Sequence, residues 1–177
     1  MIFASNIRFG SENITSDIMQ AFQLSFNEAE RIKTLHGGLV VTNLDDNELI
    51  ELSFSDANKE YYNYDRPFIS RAELISVIRP RCEEIIEEIQ ISLDKTGFEQ
   101  LSSKRIVFTG GGSQLPGLYE LASEYFGSRI RIGRPMRVQG LPQALQGSQF
   151  SAIIGLAIEI SNLQDEVWDF EIPTILE

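Results

Sequence analysis

At 177 residues with 42% hydrophobic residues, the chain is large enough for one packed domain, or one domain carrying an insertion. A net charge of -11, from 26 acidic against 15 basic residues, argues against binding nucleic acid through a general electrostatic footprint. One cysteine excludes an internal disulfide, one histidine leaves too few soft ligands for zinc, and no apolar run reaches a membrane span or a signal peptide, so the expected compartment is the cytoplasm.

In chain order, Ile2 to Phe9 alternates apolar residues and predicts a strand that stops at Gly10-Ser11. A short helix follows, with Thr15 or Ser16 as its cap, Asp17 in the first turn, and Ile14, Ile18, Ala21 and Phe22 on one face. Ser25 and Glu28 form a capping box for a second helix, which Gly37-Gly38 ends after His36. Ala29, Ile32 and Leu35 are its expected inward face. Glu30 and Lys33, three residues apart, project from one side next to that stripe. Taken alone they are a surface ion pair worth roughly 0.2–0.5 kcal/mol.

Between Leu39 and Tyr64 the pattern changes to short β segments, Leu39-Val40-Val41 and then Glu48 to Phe54 with Ile50, Leu52 and Phe54 on one face. Ser70 and Glu73 open a long helix that runs to about Lys95, with Leu74, Val77, Ile78, Cys82, Ile85, Ile86, Ile89 and Leu93 as its apolar side. Pro80 is expected to kink it. Cys82 lies in the apolar stripe and reads as a buried thiol. Arg71, Arg79 and Arg81 cluster in the first half, whereas Glu83, Glu84, Glu87 and Glu88 fill the middle.

The apolar run Ile106-Val107-Phe108 leads into Thr109-Gly110-Gly111-Gly112-Ser113, and a helical pattern covers Pro116 to Phe126. Strand, glycine turn and helix are the expected order. Two readings of the turn stand: a cradle in which backbone approaches a flat or phosphorylated ligand, or a sharp connection with no ligand. Arg129 to Ile132 predicts a short strand. Phe150 to Asn162 predicts an apolar helix whose small Ala152, Gly155 and Ala157 suggest close packing against a neighbour. Gln164 to Glu177 is acidic and unpatterned.

Several phrases occur in an order that carries more than any one of them: Asn13-Ile14-Thr15-Ser16-Asp17-Ile18, Ala29-Glu30-Arg31-Ile32-Lys33 with His36-Gly37, Pro80-Arg81, Val107-Phe108-Thr109-Gly110-Gly111-Gly112, Arg131-Ile132-Gly133-Arg134-Pro135 and Ser151-Ala152-Ile153-Ile154-Gly155-Leu156. Together they resemble the C-terminal half of the bacterial cell-division protein FtsA, a family of actin-like proteins with two lobes around a nucleotide cleft. The resemblance implies an α/β fold, a ribonuclease H-like lobe with a small inserted β-plus-helix subdomain. It implies a lobe core from 1–37 and 98–163, an insertion over 38–97, and an acidic tail over 164–177. It also implies half of an ATP site, the adenosine side, with Glu30 and Lys33 holding ribose and purine and Gly110, Gly111, Gly112 and Ser113 covering the base. The family's phosphate loops, with the acidic residue that helps to position Mg²⁺, match nothing in this sequence. Hydrolysis by this chain alone is not expected.

Residues 38–97 fall where the family binds the acidic, apolar C-terminal tail of FtsZ, the tubulin-like ring protein. Arg71, Arg79 and Arg81 are the implied receivers, Arg81 foremost, by charge-assisted pairing. The family's amphipathic membrane helix also matches nothing here. A location at the cytoplasmic face of the cell membrane at the division site is expected through a segment outside this chain. The rival reading is a lobe of a sugar kinase or a chaperone-type ATPase with turnover when complete. Self-association through an unpaired Ile2 to Phe9 edge is a third expectation.

Overall fold

The structure is a computed structural model that describes residues 4–42, 45, 47–53, 67–97, 105–127 and 129–161. Helix α1 (Ser11–Phe22) and helix α2 (Phe26–His36) precede a small hairpin of β1 (Leu49–Glu51) and β2 (Phe68–Ser70). The long helix α3 (Arg71–Asp94) follows, then β3 (Ile106–Phe108), α4 (Leu118–Phe126), β4 (Ile130–Ile132) and α5 (Ser151–Ser161). The chain is an α/β protein. The hairpin is antiparallel, with Ile50 opposite Ile69, and β3 pairs with β4 in parallel, with α4 as the crossover. Among the described residues both sheets are two-stranded.

Helix α1 starts earlier than its sequence suggests. Gly10 is the cap, and the Asn13 side-chain oxygen accepts from the Gly10 N–H at 2.9 Å. That frees Thr15 from capping; its hydroxyl lies within the helix and turns toward α2. In α2 the capping box is half made. Ser25 accepts from the Glu28 N–H, but the Glu28 carboxylate is taken by Arg31 at 2.7 and 2.8 Å and by the Ser53 N–H at 2.7 Å. Ala29 and Ile32 are buried as expected, whereas Leu35 is exposed. Gly37 must be glycine, because a Cβ there would stand 2.2 Å from the Lys33 carbonyl oxygen.

Residues 4–10 form no strand, and neither do Leu39 to Val41; the Leu39 N–H instead donates to the Pro116 carbonyl at 2.9 Å. The expected strand from Glu48 shortens to Leu49–Glu51, with Ile50 and Leu52 buried. Its Phe54, residues 1–3, Asn162 and the tail over 164–177 lie outside the described residues.

Helix α3 has both halves of its Ser70–Glu73 capping box and runs unbroken through Pro80, which sits on the exposed side. Leu74, Ile75, Ile78, Cys82 and Ile86 form its buried stripe. Burial pushes the Cys82 thiol up to about 12, so this cysteine packs as a small apolar residue. One continuous core joins Leu74, Ile78, Cys82 and Ile86 of that stripe to Ile14 and Ile18 of α1, Ile32 of α2, Ile50 and Ile69 of the hairpin, and Leu118, Leu121 and Ala122 of α4. The expected insertion therefore shares its core with the rest of the chain. Helix α5 behaves otherwise: Ile154 is buried, while Ala152, Ile153, Gly155, Leu156, Ala157 and Ile160 are not, so the close packing suggested by its small residues is not found among the described residues.

A bidentate ion pair ties α1 to α3, from Arg81 to Asp17 at 2.6 and 2.9 Å. Both side chains are about three-quarters covered, so Asp17→Asn is expected to cost about 1–2 kcal/mol, read as a lower urea midpoint at unchanged slope. The acid limb of stability should depend on Glu28. Burial raises its pKa, but the Arg31 and Ser53 hydrogen bonds outweigh this and hold it below its ordinary value of 4.5. That contribution is present above pH 4.5 and disappears as the pH falls through the folded value, so Glu28→Gln should flatten the loss of stability between about pH 5 and 3 in acid titrations.

Candidate functional site

The first turn of α1, the outer side of α2 and the glycine turn after β3 enclose a cleft of about 480 Å³. Ser11 and Ile14 come from α1, Glu30 and Lys33 from α2, and Gly111 and Gly112 from the turn. Residues that are some eighty positions apart in sequence thus face one another across one opening.

The turn is built by the two residues that do not line the cleft. Gly110 takes φ +94°, a conformation that favours glycine, and its carbonyl accepts from the Ser113 N–H at 3.2 Å and from the Ser113 hydroxyl at 2.8 Å. Ser113 is buried beneath it. These bonds close Gly111–Gln114 into a 3₁₀ turn and push Gly112 toward α1, where a Cβ would stand only 3.3 Å from that of Ser11. Across the turn, the Gln114 amide donates to the Gln149 side-chain oxygen at 2.6 Å, and both residues line the cleft.

Glu30 and Lys33 are not a simple surface pair. The Lys33 ammonium donates to Glu30 Oε2 at 2.6 Å, to Thr15 Oγ1 at 2.7 Å and to the Ser11 carbonyl at 3.2 Å. The Thr15 hydroxyl reaches the same Glu30 oxygen at 2.6 Å. Burial raises the Glu30 pKa, and the hydrogen bonds from Lys33 and Thr15 with the Lys33 charge outweigh it, so the carboxyl is held below the usual range and stays ionised. The Glu30 side chain is 44% exposed and that of Lys33 only 10%. Chemically the cleft offers an ionised carboxylate with Oε1 outside these bonds, an aliphatic lysine stem, and backbone without side chains.

The three arginines are engaged with different neighbours. Arg71 binds the buried Asp45 at 2.7 Å and the His36 carbonyl at 3.1 Å. Asp45 is held below the usual carboxylate range by the Thr42 N–H and by Arg71. Arg79 pairs with Glu83 one turn along its own helix at 2.8 Å and reaches the Leu39 carbonyl at 3.4 Å. Arg81 bridges to Asp17 on α1 and also binds Glu84, which keeps it firmly protonated. Arg79 keeps the most exposed side chain, 43% against 25% for Arg81.

Thr15, Gln114 and Gln149 are site residues that the sequence pattern did not single out. Thr15 had a readable signal, since a hydroxyl between Ile14 and Ile18 on an apolar stripe must find a buried partner. The glutamines had none.

The family model for "Cell division protein FtsA" matches residues 1–155. Among curated proteins the chain is similar to the cell division protein FtsA of Agrobacterium fabrum, 36% identical over 89% of this chain and 35% of the relative. That of Pseudomonas aeruginosa is 31% identical over 85% of this chain and 34% of its own length. That of Escherichia coli K12 is 30% identical over 85% and 36%. The chain thus spans about a third of the length of the curated relatives it matches. With all but its last 22 residues covered by one family model, this chain belongs to the cell division protein FtsA family.

Proposed function

We propose that the chain works in bacterial cell division as part of an FtsA-type scaffold. In this reading it contributes the adenosine half of an ATP site and receives the C-terminal tail of FtsZ, linking the division ring to the membrane at its cytoplasmic face. The β3–α4–β4 unit is taken as part of a ribonuclease H-like sheet in the larger actin-like lobe. The observation that carries the reading is the meeting of Glu30, Lys33, Gly111 and Gly112 around one cleft. Membership of the FtsA family favours it over a sugar-kinase or chaperone-type lobe.

The residues present fit a nucleoside better than a phosphate. Glu30 Oε1 can accept from ribose hydroxyls, the Lys33 stem can lie against a purine, and the two glycines allow a flat ring close approach. An ammonium has three donors, and Lys33 spends all three inside the protein. We assign phosphate and Mg²⁺ contacts to other parts of the two-lobed protein, and no hydrolysis to this chain alone.

Among the described residues no helix is long and apolar enough to cross a membrane. In this reading membrane contact is made elsewhere in the longer protein or by a partner. For the FtsZ tail, Arg79 is the arginine best placed to change partners. Its ion pair lies within one helix, an arrangement worth only about 0.3–0.5 kcal/mol. Arg81 holds two helices together and is less free to leave.

Adenosine and ADP titrated into the ¹⁵N-labelled chain are expected to shift the amides of Ser11, Thr34, Gly111 and Gln114 to similar extents, with inorganic phosphate inert. Glu30→Gln should weaken adenosine about tenfold, as expected for one charge-assisted hydrogen bond of about 1.5 kcal/mol. A folded chain indifferent to adenosine would remove the half-site. For the partner, an acidic FtsZ tail peptide should bind wild type in a salt-sensitive way and bind Arg79→Glu several-fold more weakly with only a small loss of stability, whereas Arg81→Glu should lower the urea midpoint clearly. No binding by folded wild type would withdraw the receiver surface.

A further inference from the structure

Thr15 closes a ring of three side chains. Its Oγ1 is 2.6 Å from Glu30 Oε2 and 2.7 Å from Lys33 Nζ, which is itself 2.6 Å from Glu30 Oε2. An ammonium can only donate, so Thr15 accepts from Lys33; of the two acceptors within reach of its own proton, the Glu30 carboxylate at 2.6 Å is charged and nearer than the Ser11 carbonyl at 3.2 Å. Both donors to Glu30 end on Oε2. Thr15 has no solvent exposure and Lys33 very little, so in the native chain the hydroxyl, and not water, completes the ring.

We propose that Thr15 is the positioning residue of the adenosine half-site: its buried hydroxyl sets the Glu30 carboxylate with Oε1 as the ligand-facing acceptor and keeps the Lys33 ammonium turned away from the cleft. The inference rests on the nucleotide reading for what the ligand is, but not for the ring itself. Two consequences follow from the donor inventory. Without the hydroxyl, Glu30 keeps one donor where it had two. Lys33 gains an unspent N–H beside an open cleft, and its charge becomes available to an anion. The native ring therefore selects a neutral nucleoside face, and a chain without the hydroxyl gains a preference for phosphorylated ligand.

The test compares wild type with Thr15→Val, which keeps the shape and loses the hydroxyl, and Thr15→Ser, which keeps the hydroxyl. Two quantities are read: the titration midpoint of the Glu30 carboxyl by carbon NMR without ligand, and the affinities for adenosine and ADP at low and high salt. Thr15→Val is expected to raise the Glu30 midpoint, weaken adenosine at least fivefold, and make ADP bind better than adenosine in a salt-sensitive way. Thr15→Ser should stay within twofold of wild type on every measure. A folded Thr15→Val with an unchanged Glu30 midpoint and an unchanged ratio of ADP to adenosine affinity would overturn the proposal. Should the valine chain not fold, Thr15→Ala carries the same comparison. If wild type takes no adenosine, the nucleotide reading falls, and the Glu30 titration alone decides whether Thr15 positions the pair.

Discussion

Everything in this fold depends on covering one face of α3. Four of its aliphatic side chains are buried, each contributing about 1.5–3 kcal/mol, whereas the ion pairs along the same helix are worth below about 1 kcal/mol apiece where exposed. The cover comes from four directions: α1, the small hairpin, α4, and α2 through Ile32. Helix α1 is thereby pressed between α3 and α2, and that packing holds its first turn near the glycine turn. The cleft is a by-product of how the core closes.

A polar group placed at such a seam has to be satisfied in full. Thr15, Glu30 and Lys33 sit where α1 meets α2, and among the described residues no buried side-chain nitrogen or oxygen lacks a partner. Satisfaction here consumes the lysine charge and spares one carboxylate oxygen. A cleft in an acidic protein is thus locally neither acidic nor basic toward a ligand, but supplies one strong acceptor beside apolar surface.

The helices were legible in the sequence because their stripes and caps are local. The Ser70–Glu73 box and the Leu74 to Ile86 stripe mark α3 within a residue or so of its observed ends. Glu30, Lys33 and the glycines could also be singled out, by spacing and by the family's phrases. What sequence could not show was who meets whom. Thr15 looks like a helix cap until Gly10 is seen in that place with Asn13 accepting from its N–H, and Glu28 looks like half of a capping box until Arg31 and Ser53 are seen to claim it. Arg81 reads as a free cation because Asp17 is 64 residues away. The strand expected from Ile2 onward failed over residues 4–9 for a related reason, since alternation marks a face and does not supply the neighbour that would pair with it.

Thr15 and Asp17 are two residues apart, about 200° around the axis of α1. One is bonded to α2 beside the cleft and the other to Arg81 of α3. The helix is therefore keyed on opposite flanks, like a shaft held by two pins, and it cannot roll by even one position without releasing both. The shape of the cleft and the bearing of the Arg81 guanidinium are one mechanical setting, read at two places.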